Sequence, residues 1–163
     1  MTKHLKKSGF TMVELIIYLA LVVVITTIFT GFTTSVVKNS ARILAKNEVY
    51  YNGQFLLSRI IQEIKTAKNI GMVNTDSITM TNEYGQEVIV AFDSVNNTIN
   101  YTLDSVTTII TLDYIRATEL TFHQRGDSLI AIHLMVDNGP SNSVAFPHEA
   151  NFYTAASPRS QLY

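Results

Sequence analysis

The feature that most constrains this chain is the run from Leu15 to Val37, 23 consecutive residues without a charge and rich in Leu, Ile, Val and Phe. As a helix rising ~1.5 Å per residue, the run reaches ~35 Å, enough to cross a hydrocarbon core of ~30 Å. A soluble protein can bury such a helix, but here Lys3, Lys6 and Lys7 stand just ahead of it, and a membrane span is the reading adopted. Glu14 heads the run and lies inside it if Phe10, Met12 and Val13 are counted. An ionised carboxylate deep in a bilayer costs at least ~2.5–3.5 kcal/mol on insertion scales, so an acid there points to function. The plainer alternative is an interfacial glutamate reaching the headgroups, and periodicity does not decide between the two.

With 163 residues the chain holds one modest domain plus the membrane helix. It contains no cysteine, which excludes a disulfide framework, a Cys-based metal site and a thiol-linked lipid anchor. A secretory signal peptide has an apolar region of roughly 7–15 residues. The present run is longer and ends without a small-x-small site, so conventional cleavage is not expected. Charge is lopsided. Residues 1–68 carry nine Lys or Arg against three acids, a net +6, whereas 69–163 carry three Arg against ten acids, a net −7. An acidic domain repels phosphates, so direct nucleic-acid binding by it is disfavoured. Orientation is left open by charge, because Lys38, Arg42 and Lys46 follow the span as Lys3, Lys6 and Lys7 precede it.

Helix formers continue past Val37, and Phe55–Ala67 is amphipathic. Phe55 or Leu56, Ile60, Ile64 and Ala67 share one face, with Arg59, Glu63 and Lys65 away from it. One helix is expected from about Thr11 to about Lys68, roughly 85 Å long at 1.5 Å per residue. Lys38, Arg42 and Lys46 form a basic stripe, either a solvated face touching lipid phosphates or a strip for acidic neighbours. Gly31 interrupts the apolar run at ~1 kcal/mol relative to Ala; a point of stretching and close packing against another helix explain it equally well.

From Gly71 the pattern becomes period two. Expected strands are Ser77–Thr81, Glu87–Phe92, Thr98–Leu103, Val106–Leu112, Glu119–Gln124, Leu129–Val136, a short one at Ser143–Phe146 and a last one near Phe152–Ala155. Turn-forming residues separate them, as at Asp93-Ser94-Val95-Asn96-Asn97 and Arg125-Gly126-Asp127. The fold class is α+β: a long N-terminal helix packed on an antiparallel sheet, or on two small ones.

No catalytic constellation stands out. His123 and His133 lie on neighbouring expected strands with Asp127 between them, but no third ligand has suitable spacing, and partly exposed strand histidines are the simpler reading. His148, between Pro147 and Glu149, is a loop residue. Asp137-Asn138-Gly139-Pro140-Ser141-Asn142 offers oxygens for Ca²⁺, yet turns use the same residues routinely. Tyr50 and Tyr51 read as core and interface residues rather than a base-stacking platform. Neither a cofactor nor a metal is expected.

Lys6-Lys7-Ser8-Gly9-Phe10-Thr11-Met12-Val13-Glu14-Leu15 resembles the class III signal of type IV pilins and pseudopilins: a short basic leader, Gly, Phe, three residues, Glu, then an apolar helix. The resemblance implies cleavage by a prepilin peptidase between Gly9 and Phe10, N-methylation of Phe10, and a cytoplasmic N-terminus with the bulk of the chain outside. It divides the chain into a leader at 1–9, a transmembrane segment at 10–37, an amphipathic continuation at 38–70 and an extracytoplasmic β-rich domain at 71–163. Glu14 lies one helical turn from Phe10. In a stacked bundle its carboxylate would meet the Phe10 ammonium of a neighbour, a register device of the kind buried charges serve best.

The later part of the chain is similar, more weakly, to J-type minor pseudopilins of type II secretion, PilW-like minor pilins and ComGF-like competence pseudopilins. It lacks the helix-breaking proline and C-terminal cysteine pair of common major pilins, which favours a minor subunit. Implied partners are other pilin or pseudopilin subunits, the peptidase, the inner-membrane assembly platform and lipid. Two rivals remain: an unprocessed bitopic membrane protein whose outer domain binds a ligand, and a membrane-tethered metal-dependent hydrolase using His123 and His133.

Overall fold

The computed structural model describes residues 10–126, 129–139 and 145–159. Gly9, Lys3, Lys6 and Lys7 therefore lie outside the described residues, as do Asp127 and the 140–142 part of the suspected calcium loop. Helix α1 spans Met12–Thr66. The chain divides within it into two compact units, one through Ala41 and one from Arg42 onward.

In the first unit the apolar side chains are exposed; Ile28, Phe29 and Phe32 are typical. None of the most apolar 18-residue window is buried inside the protein, and the helix is long and apolar enough to cross a membrane once. Thr26, Thr27, Thr30, Thr33 and Thr34 each donate a hydroxyl to the carbonyl four residues back, at 2.7–2.9 Å. The hydroxyls are thus satisfied within the helix and need no water.

The second unit is built on the other kind of helix surface. Val49, Gly53, Leu56, Ile60 and Ile64 are buried at spacings of four, three, four and four, the stripe of a helix with one face in a core. Each of the larger side chains contributes about 1.5–3 kcal/mol by leaving water. Leu56, not Phe55, occupies the inward position; Phe55 is 58% exposed. Glu63 departs from expectation because Tyr101 reaches over it, and its side chain retains 17% exposure beside Arg59 Nε at 3.2 Å.

Eight strands complete this unit: β1 Asn69–Val73, β2 Ser77–Thr81, β3 Glu87–Asp93, β4 Thr98–Leu103, β5 Val106–Ile109, β6 Arg116–Arg125, β7 Leu129–Asp137 and β8 Glu149–Ala156. They form two antiparallel meanders, β1-β2-β3-β4-β5 and β6-β7-β8. Ile78, Met80, Val88, Val90 and Ile99 from the first sheet, and Leu120, Phe122, Ile132, Leu134 and Val136 from the second, join the helix stripe in one core. The sheets are tied through the free edge of β6, where the Ala117 N–H donates to Asn97 O at 2.9 Å and the Phe122 N–H to Thr75 O at 2.8 Å.

Several boundaries differ from expectation. The helix stops at Thr66 rather than Lys68, and Asn69 and Ile70 already belong to β1. β5 ends at Ile109 because Thr111 turns inward, accepting the buried Ile99 N–H at 2.6 Å. β6 begins at Arg116, three residues before the expected start. Residues 143 and 144 lie outside the described residues, and Ala145 and Phe146 form a bend rather than a strand.

Candidate functional site

The first turn of α1 is built by Thr11. Its hydroxyl accepts the Glu14 N–H at 3.3 Å, and its carbonyl accepts the Leu15 N–H at 3.2 Å. Thr11 is thus the N-cap and Glu14 the third helical residue, the Thr-x-x-Glu spacing of a capping box. A carboxylate there is also favoured by the positive end of the helix dipole. Phe10 folds back so that its ring meets Tyr18 edge-on, with centroids 5.8 Å apart. Phe10, Glu14 and Tyr18 follow one another at helical spacing of four, and Glu14 is half-buried while Phe10 is 73% exposed. The Thr-x-x-Glu spacing is the sequence signal for the Thr11 cap, and the Tyr18 ring contact has none. Gly9 and the leader lysines lie outside the described residues.

Gly31 has no atom within 4 Å of where a Cβ would sit. None of the described residues requires a glycine there, which leaves close approach by another helix as the packing reason open to it. Thr27, Thr30, Gly31 and Thr34 line a shallow open concavity on the same surface. Of the basic stripe, Arg42 stacks on the Phe146 ring, 5.5 Å from its centroid, so its charge is drawn onto the globular unit.

The histidines do not converge. His123 pairs with Ala131 and His133 with Thr121, so the two are diagonal neighbours on the outer face of the second sheet, and His133 is engaged elsewhere. His133 stacks flat on Tyr153, centroids 4.2 Å apart and 3° from parallel. Its Nδ1 lies 3.2 Å from Glu119 Oε1, while Nε2 is buried without a partner among the described residues. Among those residues no group of three His, Asp or Glu side chains could hold a metal.

The described part of the suspected calcium loop uses its oxygens structurally. Asp137 receives Arg116 Nε on Oδ1 at 2.9 Å and Arg116 Nη2 on Oδ2 at 2.6 Å, and Oδ1 also accepts the Gly139 N–H. That forked bond holds the guanidinium pKa above its ordinary value. Asn138 spans the same turn, accepting the His148 N–H and donating to Phe146 O. Where helix meets sheet, Arg59 lies 5.5 Å from the Tyr101 ring centroid. Burial first, then the Glu63 charge, raises the Tyr101 phenol above its usual range.

No protein-family model, curated protein or solved structure matches the chain.

Proposed function

We propose that the chain is a structural, non-enzymatic subunit of the type IV pilin and pseudopilin superfamily, assembled into a filament through its apolar helix. More particularly, we read it as a minor pilin or pseudopilin that initiates, or sits at the tip of, a type II secretion pseudopilus or a type IV pilus-like filament. The observation that carries this reading is the run Gly9-Phe10-Thr11-Met12-Val13-Glu14 in the sequence, together with a 55-residue helix from Met12 whose most apolar window is not buried by any of the described residues.

On this reading the preprotein inserts with its leader in the cytoplasm and its β-rich domain outside. Prepilin peptidase cuts after Gly9 and frees the Phe10 ammonium, which is then methylated. A carboxylate in lipid is tolerable when paired, so Glu14 of an incoming subunit settles where it meets the ammonium of a neighbour. Side-by-side helix packing then holds that register, with Gly31 allowing a close crossing.

Co-expression with a prepilin peptidase tests the first step. The chain should shorten by its nine-residue leader, and Gly9→Leu should block the shortening. An unchanged length with an active peptidase, shown on a control substrate, contradicts the proposal.

A further inference from the structure

We propose that β5 is a docking edge for a second copy of this chain, the two strands pairing antiparallel about a two-fold axis through Thr108 and joining the two five-stranded sheets. This goes beyond the filament reading and does not rest on it.

All four residues of β5, Val106-Thr107-Thr108-Ile109, are exposed. Among the described residues the strand pairs only with β4. Such an edge is a template for another strand unless it is blunted by charge, proline, a bulge or a cover. The opposite edge of the sheet has one of these devices, a register irregularity between Ile70 and Val73 in β1. β5 contains no charge and no proline, and its pairing with β4 is regular throughout. Its composition of β-branched residues is suited to a sheet.

The backbone register fixes how a second β5 pairs with the first. The Ile110 N–H donates to Ile99 O at 2.9 Å, which turns the backbone groups of Thr108 and Val106 toward β4, since alternate residues point the same way. The N–H and C=O of Thr107 and Ile109 therefore face outward. The close contact of Thr102 and Thr107 hydroxyls, 2.9 Å apart, agrees, because side chains approach most closely at positions between the ladder bonds.

A second β5 related by a two-fold through Thr108 places Thr107 opposite Ile109 of the other copy. All four outward groups then find a partner in each strand and none is orphaned. The same axis sets Thr108 against its own counterpart. A neutral strand brings no like charges together across the axis. At the strand's start, the Asp104 carboxylate is engaged by Gln86 Nε2 at 2.7 Å. Each copy uses the same edge in the contact, so the pair closes as a dimer.

Because the chain has no cysteine, single-cysteine trapping reads this geometry directly. Counterpart residues on such an axis, lying between ladder bonds, have Cα atoms about 4.5 Å apart, at the short end of the roughly 4.4–6.8 Å that a disulfide spans. In the full-length protein in its membrane, mild oxidation of T108C should give a disulfide-linked dimer several-fold more abundant than that of V95C, a control at another exposed position. Adding I109K, a surface change that places a charge beside the axis in both copies, should return T108C to the control level. Dimer at T108C no higher than at V95C overturns the proposal. So does trapping that I109K leaves unchanged, and so does a T108C disulfide formed with a different protein in place of the second copy.

Discussion

Gly53 of α1 lies directly beneath the ring of Phe152 in β8. A Cβ built on Gly53 would stand 2.7 Å from Phe152 Cζ and 2.8 Å from Val136 Cγ2, closer than carbon atoms approach. Helix and second sheet are thus in contact at a position where only a hydrogen fits. Tyr50 closes over the same ring, 5.6 Å from it, which limits the room Phe152 has to move.

Gly53→Ala should therefore destabilise the globular unit. Alanine gains about 1 kcal/mol of helix propensity over glycine, but forcing a methyl into a packed core costs about 1–3 kcal/mol. The expected net loss is about 1 kcal/mol, read as a lower urea midpoint with an unchanged slope. A higher midpoint would mean that Phe152 moves aside freely.

Thr111 ends β5 by giving its hydroxyl oxygen to the buried Ile99 N–H. Thr111→Val keeps the shape and leaves that donor without a partner, at about 1–3 kcal/mol. Thermal unfolding should show the loss, and hydrogen exchange at the Ile99 amide should accelerate.

Asp93 caps the turn between β3 and β4. Its carboxyl is held below its ordinary pKa, first by the Asn96 side chain and then by the backbone amides of Asn96 and Val95. A depressed carboxyl contributes stability that is present above its unfolded value of about 3.9 and is lost as pH falls through the lower folded value. Asn96→Ala removes the largest of these bonds. A carboxyl NMR titration should show the Asp93 midpoint rise part of the way back, with the amide bonds holding the remainder.

The pairing proposed for Glu14 with a neighbour's ammonium can be separated from its place in the capping-box spacing. Glu14→Gln keeps the capping-box amide oxygen and removes the charge. Cleavage after Gly9 should persist, while incorporation into filaments, followed by shearing and immunoblotting, should fall as far as for Glu14→Ala. Retained incorporation in the glutamine variant would assign Glu14 to capping alone.

Where side chains repeat regularly, the sequence was readable. The stripe Leu56, Ile60, Ile64 and the alternation of Ile130, Ile132 and Leu134 each follow one period, and helix and strand appear where expected. Irregular ladders hid the rest. In β6 a register shift lies between Ala117 and Glu119, so the buried Ala117 and Leu120 stand three apart and the strand's first half does not alternate. β1 carries a similar shift and begins two residues before Gly71, in a stretch where no strand is expected. Its Gly71 lies against the Thr79 carbonyl, 3.3 Å from where a Cβ would be. The Asp104-Ser105 hairpin turn falls where the expected strands leave it, between Leu103 and Val106, although both residues take positive φ without a glycine. The motif ahead of the helix is legible as a pattern, and the Thr11 cap through its Thr-x-x-Glu spacing; the half-burial of Glu14 has no sequence signal.

The most direct test of the central claim is the N-terminal mass of the protein purified from membranes of its native host. Peptide mass spectrometry should find a mature chain beginning at Phe10 and carrying an added methyl group. A chain still beginning at Met1, in cells whose prepilin peptidase is active, would contradict the pilin-like reading and favour an unprocessed bitopic membrane protein.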